Sequence, residues 1–235
     1  MKLPTIKSAI IAGGLALCAS SAYAGDALTV VSWGGAYTKS QIEAYHKPYT
    51  AKYGTKIQSE DYNGGLAEIR AQVEAGKITW DVVDLEVSDA ARGCDDGLFE
   101  KISAGSLPNG VNGALPSKDF IPGALQECAV GTIVWSTIYA YDADKYKSKK
   151  PATISDFFDV KKFPGKRGMR KVPKVNLEWA LMADGVDGKD VYKVLATKAG
   201  QDRAFKKLDT IKNDVLWWEA GAQPPQMLAD GEVVM

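Results

Sequence analysis

The sequence predicts an α/β protein with mixed, mostly parallel sheets and flanking helices. Short apolar, β-branched runs alternate with segments of helical period through Gly97, and glycines mark most of the changes. Such β-α-β-α-β-α alternation implies parallel strands joined by right-handed crossovers. The pattern opens at Leu28–Ser40. There Leu28-Thr29-Val30-Val31-Ser32-Trp33 reads as a short buried strand, Gly34-Gly35 as a tight turn, and the residues from Ala36 as a helix start. An aromatic at a strand end, a Gly-Gly turn and a helix N-terminus make a corner of the kind open α/β sheets use for small molecules. The same residues also suit an ordinary βα turn with Trp33 in the core.

The first helix is expected over residues 37–53, with Ile42, Tyr45 and Tyr49 on one stripe, Pro48 bending or dividing it and Gly54 ending it. A second strand follows at 56–62. Asn63-Gly64-Gly65 then turns the chain into a helix with Leu66, Ile69 and Val73 on one face, stopped by Gly76. Trp80–Leu85 reads as a third strand, and Ser88 is placed to cap the short helix after it.

Between Phe99 and Ile121, five glycines and prolines indicate a long surface loop. The apolar run 131–141 reads as a strand, and the chain is expected to cross between two lobes near it. Residues 156–158 suggest a short helix, 161–174 a basic loop, and Leu177, Ala180 and Leu181 a helix. Further helices are expected near 189–196 and 201–212, a strand at Val215–Trp218, a helical turn at 226–229 and the start of a strand at 232–235. A strand beginning four residues before the terminus leads us to expect that the C-terminal part of the fold lies beyond Met235.

The 235 residues suit one large domain or two smaller ones, and 46% hydrophobic with 25% charged residues is an ordinary globular composition. Lys+Arg and Asp+Glu balance at 29 each, which gives no reason to expect a nucleic-acid partner. Residues 1–24 read as a cleavable secretory signal. Lys2 and Lys7 supply the positive start, Ala9–Ala19 the apolar stretch and Ala22-Tyr23-Ala24 the cleavage site. Cys18 invites a lipoprotein reading, but the bulk of Leu17 before it favours soluble release. A bacterial periplasm fits such a leader best. Export leaves Cys94 and Cys128, a pair that an oxidising compartment joins as a disulfide; the alternative is two buried thiols.

Enzymatic constellations are scarce. His46 is the only histidine and lies on the charged side of its helix, which reads as surface. A zinc site lacks a second histidine or a C-x-x-C, and no nucleophile elbow, Walker A or dinucleotide fingerprint appears. We therefore expect neither catalysis nor a cofactor or metal. Binding residues are better represented. Trp33, Tyr37, Trp135 and Trp218 fall near strand ends and turns, and Glu86 and Ser88 directly follow the third strand, where parallel sheets bind ligands. Each also has a plainer reading, as core aromatic or helix cap.

Several stretches together carry a resemblance. They are Ser32-Trp33-Gly34-Gly35-Ala36-Tyr37, Thr79-Trp80-Asp81-Val82-Val83, residues 157–168 from Phe157-Phe158 to Arg167-Gly168, and Met227-Leu228-Ala229-Asp230-Gly231-Glu232-Val233. With the leader, they resemble the periplasmic spermidine/putrescine-binding proteins of ABC importers over nearly all of the chain after Gly25. The resemblance implies a two-lobe periplasmic-binding-protein-like α/β fold. Residues 25–135 would form the first part of lobe 1, and 136–235 an incomplete lobe 2 whose return to lobe 1 is missing. It implies a monomer that captures a small amine between the lobes and delivers it to an inner-membrane permease. Carried over by position, Trp33 and Tyr37 match the family's aromatic pair and Glu86 and Ser88 its polar positions. Glu178 matches the second of two carboxylates that hold polyamine nitrogens, while the first falls on Val175. Lys166, Arg167, Arg170, Lys171 and Lys174 stand where a polycation would meet repulsion. They suit a carboxylate-bearing ligand such as γ-aminobutyrate or an organic acid, with Glu178 or Glu86 holding an amine. The main expectation is a polyamine and the alternative is such a zwitterion; an exported enzyme and a sensor or adhesin module are the readings from other classes.

Overall fold

The computed structural model describes residues 27–235, so the leader at 1–24 lies outside the described residues. The chain folds around two parallel sheets. In the first, β1 (Leu28–Ser32) is central, between β2 (Ile57–Asp61) and β3 (Val82–Val83). Leu28 stands opposite Ile57, and Val30 opposite Val82. A central strand needs apolar cover on both faces, and Val31 (0% exposed) and Ser32 (1%) supply its buried end. β3 is shorter than the predicted 80–85. Beyond it, the Asp81 N–H still donates to Thr29 O (3.0 Å) and the Asp84 N–H to Val31 O (2.9 Å).

After β1, α1 (Gly35–Gln41), a π-turn (Ile42–His46) and α2 (Lys47–Tyr53) follow without a break. Pro48 has no N–H for the helical ladder, and the wider turn before it absorbs the misfit instead of a sharp kink. The extra residue shifts the phase of the helix face. His46, expected at the surface, is consequently 8% exposed and lies 3.0 Å from Ser59 Oγ through Nδ1. Burial lowers its pKa, against the attraction of Asp84. α3 (Ala67–Glu74) returns the chain to β3, and α4 (Val87–Asp95) follows. Ser88 does not cap α4. The N-cap position is Glu86, without a side-chain cap bond, and Ser88 sits exposed inside the first turn.

Cys94 and Cys128 are joined by a disulfide, with Cα atoms 5.7 Å apart. It pins a long segment whose regular structure after α4 is limited to α5 (Pro116–Asp119) and a 3₁₀ turn at Ala104–Ser106; Leu125 within it makes an isolated bridge to Val130 just beyond. In the chain-entropy picture, closing that segment contributes about 3–4 kcal/mol. Protein isolated without reductant should be two hydrogens lighter by mass spectrometry than the dithiol form. Cys94→Ser/Cys128→Ser should unfold at lower urea; two alkylatable thiols in the native protein would refute the pairing.

The run 131–141 is not a strand in this structure. It belongs to no ladder among the described residues, and Val134 (78% exposed), Trp135 (54%) and Ile138 (79%) stand outward. Apolar β-branched composition signals a demand for burial, but a strand also needs a neighbouring backbone to take its N–H and C=O groups.

The second sheet pairs β4 (Arg167–Arg170) with β5 (Val215–Trp218), Arg167 opposite Val215 and Arg170 opposite Trp218. β4 lies inside the stretch expected to be a basic loop, and Arg167, expected among the cations that would repel a polycation, is fully buried. α6 (Ile154–Phe158) opens with a capping box in which Thr153 and Asp156 bond each other's backbone N–H groups. α7 (Asn176–Ala183), α8 (Val191–Leu195) and α9 (Lys198–Asp209) pack around a core of Phe157, Phe163, Met169, Leu181, Val191 and Ile211. Each such side chain stabilises by about 1.5–3 kcal/mol when buried. α10 (Gln223–Ala229) carries Pro224 and Pro225 in its first turn, where missing N–H groups cost nothing. Residues 232–235, expected to start a strand, are assigned to none, but Val234 and Met235 lie strand-like beside β4. The Val234 N–H donates to Lys166 O (2.9 Å), the Gly168 N–H to Met235 O (2.8 Å) and the Asp142 N–H to Val234 O (2.9 Å).

Candidate functional site

The site lies where the ends of β1 and β3 meet the end of β4. At the end of β1, Trp33 lies on the backbone of Gly64. A Cβ on Gly64 would come within 2.4 Å of the indole, and the residue has φ +86°, so a glycine is required twice over. Tyr62 packs beside Trp33 (centroids 5.3 Å) and edge-on to Trp80 (5.5 Å), and its hydroxyl donates to Asp84 O. Burial, with Asp84 adding repulsion, pushes the Tyr62 phenol above its usual range.

The Gly-Gly corner at the start of α1 is taken up by protein. The Gly34 N–H donates to Thr38 Oγ1 (2.8 Å), which donates to Asp61 Oδ1 (3.0 Å), and a Cβ on Gly34 (φ +80°) would lie 3.0 Å from Asp61 Oδ2. Asp84 at the end of β3 accepts from Ser32 Oγ (2.7 Å) and Gln41 Nε2 (2.5 Å), tying β1, α1 and β3 together. Tyr37 lies near this carboxylate and contacts Thr132; its pKa is raised, chiefly by burial and then by Asp84.

From the second sheet, Arg170 crosses to the first. Its Nη2 donates to Asn63 O (2.7 Å), and Nη1 is 3.9 Å from Glu86 Oε1. The guanidinium carbon is 5.4 Å from the Trp33 ring and 6.0 Å from the Trp218 ring. Lys174 crosses too, with Nζ 2.5 Å from Glu86 Oε2 and 2.8 Å from Asp89 Oδ2. Burial works against the Lys174 ammonium, but hydrogen bonds to Asp89 and Glu86 outweigh it and its pKa is raised. Asn176 Nδ2 clamps the connecting loop through Arg170 O (2.6 Å) and Val172 O (2.7 Å). A cavity of about 210 Å³ opens beside Arg170, lined also by Asn63, Lys171, Val172 and Glu219. A larger hollow of about 390 Å³ on the second sheet shares none of these residues.

Of the residues singled out from sequence, Trp33, Glu86 and Trp218 come together around Arg170. Tyr37 stands one shell away, beside Asp84. Trp135 and Ser88 do not join the cluster: Trp135 is exposed on the run 131–141, and Ser88, between Glu86 and Asp89 in the first turn of α4, is exposed. Glu178 lies in the first turn of α7, and its side chain makes no hydrogen bond or ion pair among the described residues. Sequence reasoning missed Tyr62, Asn63, Asp84 and Asp89, and grouped Arg170 and Lys174 with loop cations. Asn63 acts only through its carbonyl, which no side-chain pattern reports. Asp84 and Asp89 flank Glu86 at the end of β3, and that position was the available signal.

Comparison with known proteins places the chain in a family. A profile of the family described as bacterial extracellular solute-binding protein matches residues 44–235. A γ-aminobutyric acid-binding protein of Pseudomonas aeruginosa is 47% identical over 222 residues, covering 94% of this chain and 61% of that protein. The crystal structure of the binding protein MotA of A. tumefaciens B6, in complex with glucopine, is 32% identical with a TM-score of 0.80 over 88% of this chain and 62% of that one. The Atu4243–GABA receptor structure is 34% identical with a TM-score of 0.70 over 88% of this chain and 60% of that one. The chain therefore spans about three fifths of the length of these relatives, and over that span it has the α/β periplasmic-binding-protein-like fold. By the profile match and the relatives' identity, this chain belongs to the bacterial extracellular solute-binding protein family.

Proposed function

We propose that the chain is the ligand-capturing component of an ABC importer. It works in the periplasm, binds a small solute between two lobes divided near residues 135–136, and hands it to an inner-membrane permease. Family membership supports the role. For the ligand we propose a short ω-amino acid of the γ-aminobutyrate type in place of a polyamine.

The observation that carries this reading is the Arg170–Glu86 pair, two opposite charges 3.9 Å apart coming from β4 and from the end of β3, with the Arg170 guanidinium beside the rings of Trp33 and Trp218. A guanidinium is a bidentate receptor for a carboxylate. Glu86 Oε1 takes an ammonium, and the Trp33 face covers the methylenes between. The ligand then replaces one long ion pair with two short ones, one to the end of β3 and one to β4, and so bridges the two halves of the site. A polyamine instead meets Arg170, Lys171 and Lys174 as like charges. The name of the P. aeruginosa relative points the same way.

Calorimetry on the full chain with γ-aminobutyrate, putrescine and spermidine tests the reading. γ-Aminobutyrate should bind most tightly, and at a thousandfold excess over Kd should add about 4 kcal/mol to stability. Tighter binding of either polyamine would overturn it.

A further inference from the structure

We propose that Lys174 determines specificity: its ammonium, held between Glu86 and Asp89, takes the position that a second ligand amine would need and restricts the site to molecules with one cationic end. This rests on the reading of the cleft as an amine–carboxylate site.

Glu86 and Asp89 are one helical turn apart on the first sheet's side, and their side chains are 15% and 9% exposed. Two carboxylates that far from water demand a cation. Arg92 bonds one oxygen of Asp89, Oδ1, at 2.8 Å. The gap between Asp89 Oδ2 and Glu86 Oε2 is filled by Lys174 Nζ, at 2.8 and 2.5 Å. It is filled from the opposite sheet, 85 and 88 residues away.

The backbone that delivers Lys174 is unusual. Val175 has φ +71°, the only positive φ at a non-glycine among the described residues, and it is β-branched. The Asn176 clamp on Arg170 O and Val172 O holds the loop in that shape. Strain and clamp together place one ammonium in one acidic gap. What remains for a ligand is Glu86 Oε1, a single carboxylate oxygen facing Arg170 at 3.9 Å. A short α,ω-diamine needs two anionic positions, and the second is already neutralised by the protein's own chain. Removing the ammonium restores it.

The test is calorimetry on the full chain bearing Lys174→Met, Lys174→Gln or Lys174→Arg, with putrescine and γ-aminobutyrate as probes. The Met and Gln variants should bind putrescine at least about tenfold more tightly than the wild type. The Arg variant should show no gain, and adding Glu86→Gln to Lys174→Met should abolish it. A lysine with only a structural role lowers the unfolding temperature and weakens every ligand, but creates no affinity. If the Met variant does not fold, the Gln variant, which keeps a donor to Glu86, carries the test; failure of both to fold overturns the inference, as does unchanged putrescine affinity in both. A wild type that ignores γ-aminobutyrate while the variants gain putrescine overturns the proposed ligand and leaves the role of Lys174 standing. Wild-type γ-aminobutyrate binding with no gain in the variants overturns Lys174 alone.

Discussion

Arg167→Ala is expected to lower the stability of the protein by about 3–5 kcal/mol, from buried carbonyls left without a donor and the cavity left by the side chain. Arg167 is 0% exposed. Its three nitrogens are each matched to a backbone carbonyl: Nε to Phe157 O (2.8 Å), Nη1 to Gly165 O (2.6 Å) and Nη2 to Phe163 O (2.6 Å). Burial lowers its pKa, while Tyr146 and Asp214 act in the opposite direction. Truncation leaves three carbonyls without a donor and a cavity beside Phe157 and Phe163, and each orphaned buried acceptor costs about 1–3 kcal/mol. Lysine should recover only part of the loss, because a point charge cannot reach three carbonyls that a planar fork spans. For a chain of this size the expected fall in Tm is about 6–20 °C, read by circular dichroism. A loss below about 1 kcal/mol in urea titrations would mean that the carbonyl cage rearranges at little cost.

Arg167 also shows where sequence reading stopped short. The first sheet was legible because β1 and β3 are apolar and β-branched, glycines mark the turns around them, and its helices carry 3.6-residue stripes. The strand Arg167–Arg170 was not, because its alternation of buried and half-buried positions is written as Arg-Gly-Met-Arg. A buried arginine satisfied by backbone carbonyls looks, in one dimension, like a solvated loop residue. The opposite error arose at residues 131–141, where an apolar run carried the signal of a strand without a neighbour to pair with. The surface reading of His46 failed on one π-turn, a change of phase that no periodicity count detects. At the site, Trp33, Glu86 and Trp218 were legible from their places at strand ends. Their partners were not: Lys174 and Glu86 are 88 residues apart, and only the packing of one sheet against the other brings them together.

Arg170→Ala is expected to weaken γ-aminobutyrate binding by about 2–5 kcal/mol, or about 30- to 5,000-fold in Kd, the cost of removing one member of a desolvated charge pair. The effect should fall on binding and leave the fold largely intact. The Arg170 side chain is 25% exposed at the end of its strand, and its backbone is held independently by Asn176 and by pairing with Trp218. Lysine at this position keeps the charge but loses the two-pronged grip and the stacking on Trp33, so it should restore only part of the affinity. Glu86→Gln should cost a comparable amount for a ligand with an amine, and little for an organic acid without one. That contrast separates a zwitterion from a plain carboxylate. Lys171 is the control. Its side chain is 67% exposed and paired with Glu219 at 3.1 Å, a surface ion pair of the kind worth about 0–1 kcal/mol, so Lys171→Ala should change Kd by less than about fivefold. Calorimetry at fixed ionic strength, with Tm recorded for every variant, gives the comparison. If Arg170→Ala folds normally and binds γ-aminobutyrate within about threefold of the wild type, the carboxylate is held elsewhere and the site assignment fails.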